Sequence, residues 1–151
     1  MTKIPREKLE EFRRQAAEKD SLARQEFELF HNKFIKSKNY LDEDGYPSSD
    51  ALKLIELWHW SDPIGWFEFI SNMWNLKSFG WHSIKGGEDE WLQEKLPSTT
   101  LRYYISTAGW SGNEQIIRVM EKNEELWYKT WVQSRRGGHY IFEIEEKEVK
   151  L

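Results

Sequence analysis

The sequence predicts an α+β fold: N-terminal helices followed by a β-α-β-β unit with a three-stranded antiparallel sheet. Three observations carry this. Residues 6–38 contain no Gly or Pro and repeat apolar side chains at helical spacing. Residues 99–107 and 139–145 are rich in β-branched and aromatic side chains. Between them, a glycine-containing turn at 109–114 opens a further amphipathic pattern.

With 151 residues the chain has the length of one ordinary domain. Apolar residues make up 38% and charged residues 32%, figures that alone would suit partial disorder. Nine Trp, eight Phe and six Tyr argue for a core instead, since each large ring buries about 150–250 Å². The absence of Cys excludes disulfides, thiolate zinc sites, iron–sulfur clusters and a Cys nucleophile. A net charge of −4 suits a soluble protein and argues against general nucleic-acid binding. The opening residues lack the apolar stretch of a signal peptide, and no segment approaches the ~20 apolar residues of a membrane span. A cytoplasmic location without membrane partners is expected. Charge divides the chain: residues 1–40 are basic, 41–97 strongly acidic and 98–151 balanced. We read 1–40 as a helical arm and 41–151 as a single α+β domain.

In the arm, Leu9, Phe12, Ala16, Ala23, Phe27, Phe30 and Phe34 recur at spacings that line one helix face. Pro5 suits the first turn, and Asp20-Ser21 is an internal N-cap signal that would split the element into two helices. The stripe serves as a face laid on the domain or as a homodimer seam, with Phe27, Phe30 and Phe34 as interface residues; a nucleic-acid arm is the third reading, disfavoured by seven acids interleaved with the bases. Asp42 to Pro47 reads as a turn. Its Asp-x-Asp-Gly start lacks the Glu of a calcium loop, Lys53 standing in that place.

Ser48-Ser49-Asp50 caps a short helix carrying Leu52, Ile55, Leu57 and Trp58. Asp62-Pro63 opens another that runs to about Asn75 with Trp66, Phe67, Ile70 and Trp74 inward. His59, between two Trp, reads as a packed, hydrogen-bonded residue. Phe79 through Glu88 reads as loop, and His82 near three acids has no second His at metal spacing. No metal or cofactor is expected. Thr99–Thr107 reads as a strand, Ile116, Ile117, Val119 and Met120 as the inner face of a helix ending near Asn123, and Leu126–Ser134 as a second strand. Arg135-Arg136-Gly137-Gly138 fits a hairpin turn into a third strand, His139–Glu145.

Two segments could carry chemistry. In the first, Trp110, Ser111, Gly112 and Asn113 open a helix whose N-terminal N–H groups suit an anion. The alternative is plain capping by Ser111 or Asn113. The second is the turn around Arg135, Arg136 and His139. Its two guanidinium forks suit carboxylate or phosphate; the alternative is a solvated hairpin tip. Trp127 and Trp131 offer surfaces on which a base could stack, or belong to the core.

The pattern from Ser106 through Gly109-Trp110-Ser111-Gly112-Asn113-Glu114, then Trp127 and Trp131, then Ser134-Arg135-Arg136-Gly137-Gly138-His139-Tyr140-Ile141-Phe142 resembles a set of small uncharacterised bacteriophage proteins. It covers about the last third of the chain. The resemblance implies a phage or prophage source, and so the host cytoplasm, and implies no ligand or reaction. The expected function is an accessory protein binding a small anionic ligand, nucleotide-like, at both segments. The alternative is a host-protein-binding, anti-defence factor acting through its aromatic and helical surface. Catalysis is not favoured: His139 beside Glu114 or Glu143 gives an acid–base pair without a clear nucleophile or metal.

Overall fold

The computed structural model describes residues 4–37 and 40–146. The chain divides into two compact units, Met1–Lys38 and Asn39–Leu151. The first is a single helix, α1 (Arg6–Ser37). The Pro5 carbonyl accepts from the N–H groups of Lys8 and Leu9 at its start. Asp20-Ser21 does not split it: helical positions cost such residues only tenths of a kcal/mol, and long flanking turns absorb that. The expected end at Lys38 lies outside the described residues.

In the second unit, Asp42 Oδ1 accepts from the N–H groups of Asp44 and Tyr46, closing the expected turn. Helix α2 (Ser49–Leu57) starts where Ser48 accepts from Ala51 N–H, and α3 (Pro63–Ser71) where Asp62 accepts from Gly65 N–H. Helix α3 stops short of Asn75. There the buried Asn113 takes over the backbone, accepting from Asn75 N–H at 3.0 Å and donating to its carbonyl at 2.9 Å. Leu76 then adopts φ 59° ahead of a single turn, α4 (Lys77–Gly80).

The sheet has four strands rather than three, all antiparallel, in the order β1 (Trp81–Asp89), β2 (Glu94–Ser106), β4 (His139–Glu145), β3 (Trp131–Arg135). The segment expected as loop is β1. Its glycines lie inside the strand, where the register shifts between Lys85 and Gly87 and both Gly86 and Gly87 have positive φ. As an edge strand it lacks the apolar alternation that marks an inner one.

The expected strand Leu126–Ser134 is half helix. Helix α5 (Ser111–Lys122) leads into α6 (Glu124–Thr130), and only from Trp131 does the chain enter β3. Asn123 causes the change. Its Oδ1 accepts from Leu126 N–H, while its Nδ2 donates to the carbonyls of Ile55 and Trp58, each at 3.0 Å. A distant part of the chain thus overrides the local β preference. The turn Arg136–Gly138 between β3 and β4 has the positive φ at Gly137 and Gly138 that was expected.

One sheet face carries Tyr103 and Ile105 of β2 and Phe142 and Ile144 of β4, all buried. Phe67 of α3 is central to this core, stacked on Tyr103 at 4.5 Å and tilted against Phe142 at 5.2 Å. Trp127 of α6 meets Phe142 edge-on. Indole N–H groups are satisfied as they enter: Trp66 donates to Ile55 O, and Trp74 to Ser106 O. His59 is buried, its Nδ1 2.7 Å from Ser61 Oγ. Among the described residues no helix is long and apolar enough to cross a membrane.

Candidate functional site

The second sheet face is polar. The β2–β4 register sets Thr100, Arg102, Tyr104 and Ser106 opposite Glu145, Glu143, Ile141 and His139. Each pair is a cross-strand neighbour, and in three of them the side chains bond each other. Thr100 Oγ1 donates to Glu145 Oε1 at 2.5 Å, and Ser106 Oγ lies 2.6 Å from His139 Nδ1. Arg102 is buried, and its guanidinium donates to Asp89 Oδ2 at 2.6 Å, to Glu94 Oε1 at 2.5 Å and to Glu143 Oε1. The Tyr104 hydroxyl also donates to Asp89.

Burial alone would raise the Asp89 carboxyl, but bonds from Tyr104, Arg102 and the Leu92 and Trp91 N–H groups hold it below the usual carboxylate range. Burial likewise disfavours charge on Arg102, and its carboxylate partners outweigh that. Tyr104 is pushed up to about 12, by burial first and then by its bond to Asp89.

This cluster anchors the hairpin tip between β1 and β2. Asp89 Oδ1 accepts from Trp91 N–H at 3.0 Å and from Leu92 N–H at 3.3 Å, and Gln93 closes the tip with φ 54°. Trp91 is thereby placed edge-to-face with Tyr104 at 4.4 Å and with His82 at 5.6 Å, yet stays 62% exposed.

Beside it lies a cavity of about 370 Å³ lined by Phe79, His82, Trp91, Tyr104, Arg135 and His139 among others. That volume falls in the range of small-molecule sites, about 300–1,000 Å³. Arg135 reaches it because Arg135 pairs with His139 in the β3–β4 register. Its Nε donates to Gln133 Oε1 at 3.4 Å, and among the described residues it forms no ion pair. His82 Nε2 lies 2.9 Å from the Phe79 carbonyl, which can only accept, so that nitrogen donates to it. When the Ser106 hydroxyl donates to His139 Nδ1, the His139 proton sits on Nε2 as a donor. Cation, donors and aromatic walls together suit an anion attached to a flat apolar group.

The structure separates the residues singled out from sequence. Arg135 and His139 line the cavity; Arg136 is exposed in the adjoining turn and does not. Thr107 N–H donates to Gly138 O, tying that turn to the segment before α5. The start of α5 has its own internal partners. Trp110 stacks on Tyr46 at 5.0 Å, and Ser111 Oγ bonds Tyr46 Oη at 2.8 Å. A Cβ on Gly112 would lie 2.6 Å from Trp110 Nε1, so the indole itself fills the space that the missing side chain leaves. Neither Ser111 nor Asn113 caps α5: Trp110 is the N-cap residue and makes no side-chain cap bond. Asn113 is buried and bonded to Asn75 and to the Thr107 carbonyl. Trp127 is a core residue, while Trp131 is 41% exposed and donates from Nε1 to Ser134 Oγ; neither lines the cavity. Phe27, Phe30 and Phe34 all lie on α1, where Phe27 stacks on His31 at 5.3 Å.

Sequence reasoning missed Phe79, Trp91 and Tyr104, and weighed His82 only as a metal ligand. The available signal was Trp91 itself, a large ring set directly after Glu88-Asp89-Glu90, outside any helical or strand period. Comparison with family models, curated proteins and solved structures gives no match for the chain.

Proposed function

We propose that this protein binds a small anionic ligand in the cavity on the polar sheet face, with Arg135 as its anchor. The observation that carries the reading is Arg135 at the rim of a 370 Å³ cavity, without a carboxylate partner among the described residues and beside His139. A guanidinium so placed offers a planar fork to phosphate or carboxylate, and His139 adds a donor. The start of α5 plays no direct part in this reading, because Tyr46 and Trp110 already engage it. The resemblance to bacteriophage proteins fits an accessory role in which a host metabolite is captured.

A thermal-shift panel of phosphate, mono- and dinucleotides and cyclic nucleotides tests this. A ligand at 100 times its Kd adds about 2.7 kcal/mol, which for a domain of this size raises Tm by roughly 5–11 °C. Arg135→Ala abolishes the shift, whereas Arg136→Ala, outside the cavity, retains most of it. A flat panel, or equal losses in both variants, overturns the reading.

A further inference from the structure

We infer that Trp91 is the surface on which the ligand's flat ring stacks, and that Asp89 is the positioning residue that holds it there. The inference rests on the anion-site reading above and adds the class of ligand: an anion joined to a planar aromatic or heteroaromatic ring.

Trp91 sits on a hairpin tip, where large rings are ordinarily mobile, yet it is fixed at two levels. Its own N–H and that of Leu92 donate to Asp89 Oδ1 at 3.0 and 3.3 Å. Its ring meets Tyr104 edge-to-face at 4.4 Å. Tyr104 joins the two levels, because its hydroxyl donates to the same carboxylate. Asp89 is in turn held by Arg102 at 2.6 Å, and Arg102 by Glu94 and Glu143. An ionic cluster centred on the buried Arg102–Asp89 pair therefore ends on one exposed indole.

Such a cluster gains little net stability over an apolar core, so holding that indole still gives it a use. A ring fixed before binding loses little entropy when a ligand stacks on it. Trp91 lines the same cavity as Arg135 and His139, so the group against the indole belongs to the molecule whose anionic end meets the guanidinium. Base–aromatic stacking is worth enough to separate a ringed ligand from its ringless counterpart by about tenfold or more.

The test is a matched pair of probes titrated calorimetrically into the full chain: adenosine monophosphate and ribose 5-phosphate. Adenosine monophosphate binds about tenfold tighter or better. Trp91→Ala brings the two together, and Arg135→Ala weakens both alike. In protein labelled with 5-fluorotryptophan, the Trp91 resonance is identified by its loss in Trp91→Phe. Asp89→Asn shifts and broadens that resonance and lowers the ratio of the two affinities. Tyr104→Phe, which removes one hydroxyl only, does the same in smaller measure and carries the test if Asp89→Asn fails to fold. Equal binding of the two probes, lost in Arg135→Ala, leaves the anion site standing and overturns the stacking inference. Binding of neither overturns both. A Trp91 resonance unmoved by Asp89→Asn and Tyr104→Phe overturns the role of Asp89.

Discussion

Asn123 Nδ2 donates to the Ile55 carbonyl at 3.0 Å, joining the turn between α5 and α6 to the end of α2. The same carbonyl accepts from Trp66 Nε1 at 3.0 Å, and the other Asn123 Nδ2 proton goes to Trp58 O. Every polar atom of this one amide is used.

Asn123→Ala therefore leaves the Trp58 carbonyl without that donor and uncaps α6. Unsatisfied buried groups cost about 1–3 kcal/mol and a lost cap about 1 kcal/mol, so a loss of roughly 2–4 kcal/mol is expected by urea denaturation. A loss below 1 kcal/mol would contradict this account of α6.

Arg102→Ala removes the guanidinium that pairs with three carboxylates, one of which, Asp89, is buried. Breaking a buried pair from one side costs about 3–5 kcal/mol. Replacing Arg102 and Asp89 together with Met and Leu restores most of that loss if the charge left behind is the cause. The comparison of single and double variants by denaturant midpoint decides it.

Stability should also depend on pH at both ends of the scale. Asp89 is held below its ordinary value, so the unfolded chain takes up its proton first as pH falls. The stabilisation is full above about pH 4 and is lost below it. Tyr104, raised to about 12, contributes below about pH 10, and that contribution is lost as pH rises toward 12. Urea midpoints against pH should flatten at the acid end in Asp89→Asn. In Tyr104→Phe they flatten partly at the alkaline end, where Tyr103, also near 12, keeps some slope.

Gly138 has φ 79°, and a Cβ there would lie 2.3 Å from Thr107 Oγ1. Gly138→Ala meets both penalties, since positive φ alone costs an L-residue about 1–2 kcal/mol. A loss of about 2 kcal/mol or more is expected. Gly109→Ala, with φ 72° and open space around it, should lose only the conformational part. Paired thermal melts separate the two terms.

The elements legible in the sequence are those whose signals are local. Ser48, Asp62-Pro63 and Gly137-Gly138 mark helix starts and a turn by their own backbone chemistry, and the structure uses them so. The misread elements are set by distant partners. Leu126–Thr130 alternates like a strand but is turned into helix by an Asn bonded to α2. Strand β1 hides because glycines usually mark turns, and here two of them lie within a ladder. The candidate site divides in the same way. Arg135 and His139 announce their chemistry wherever they fall. Trp91 gains its meaning from a hairpin fold-back and from an Asp89–Tyr104 bond that no spacing rule anticipates.

Both outer strands of the sheet carry an interruption, at Lys85/Gly87 in β1 and at Trp131/Gln133 in β3. An open sheet margin is a template on which further copies can add strand by strand, and a regular one invites fibre growth. A bulge spoils the hydrogen-bond spacing that an incoming strand would need. With an interruption at both margins, this chain thus carries its own guard against self-templated assembly.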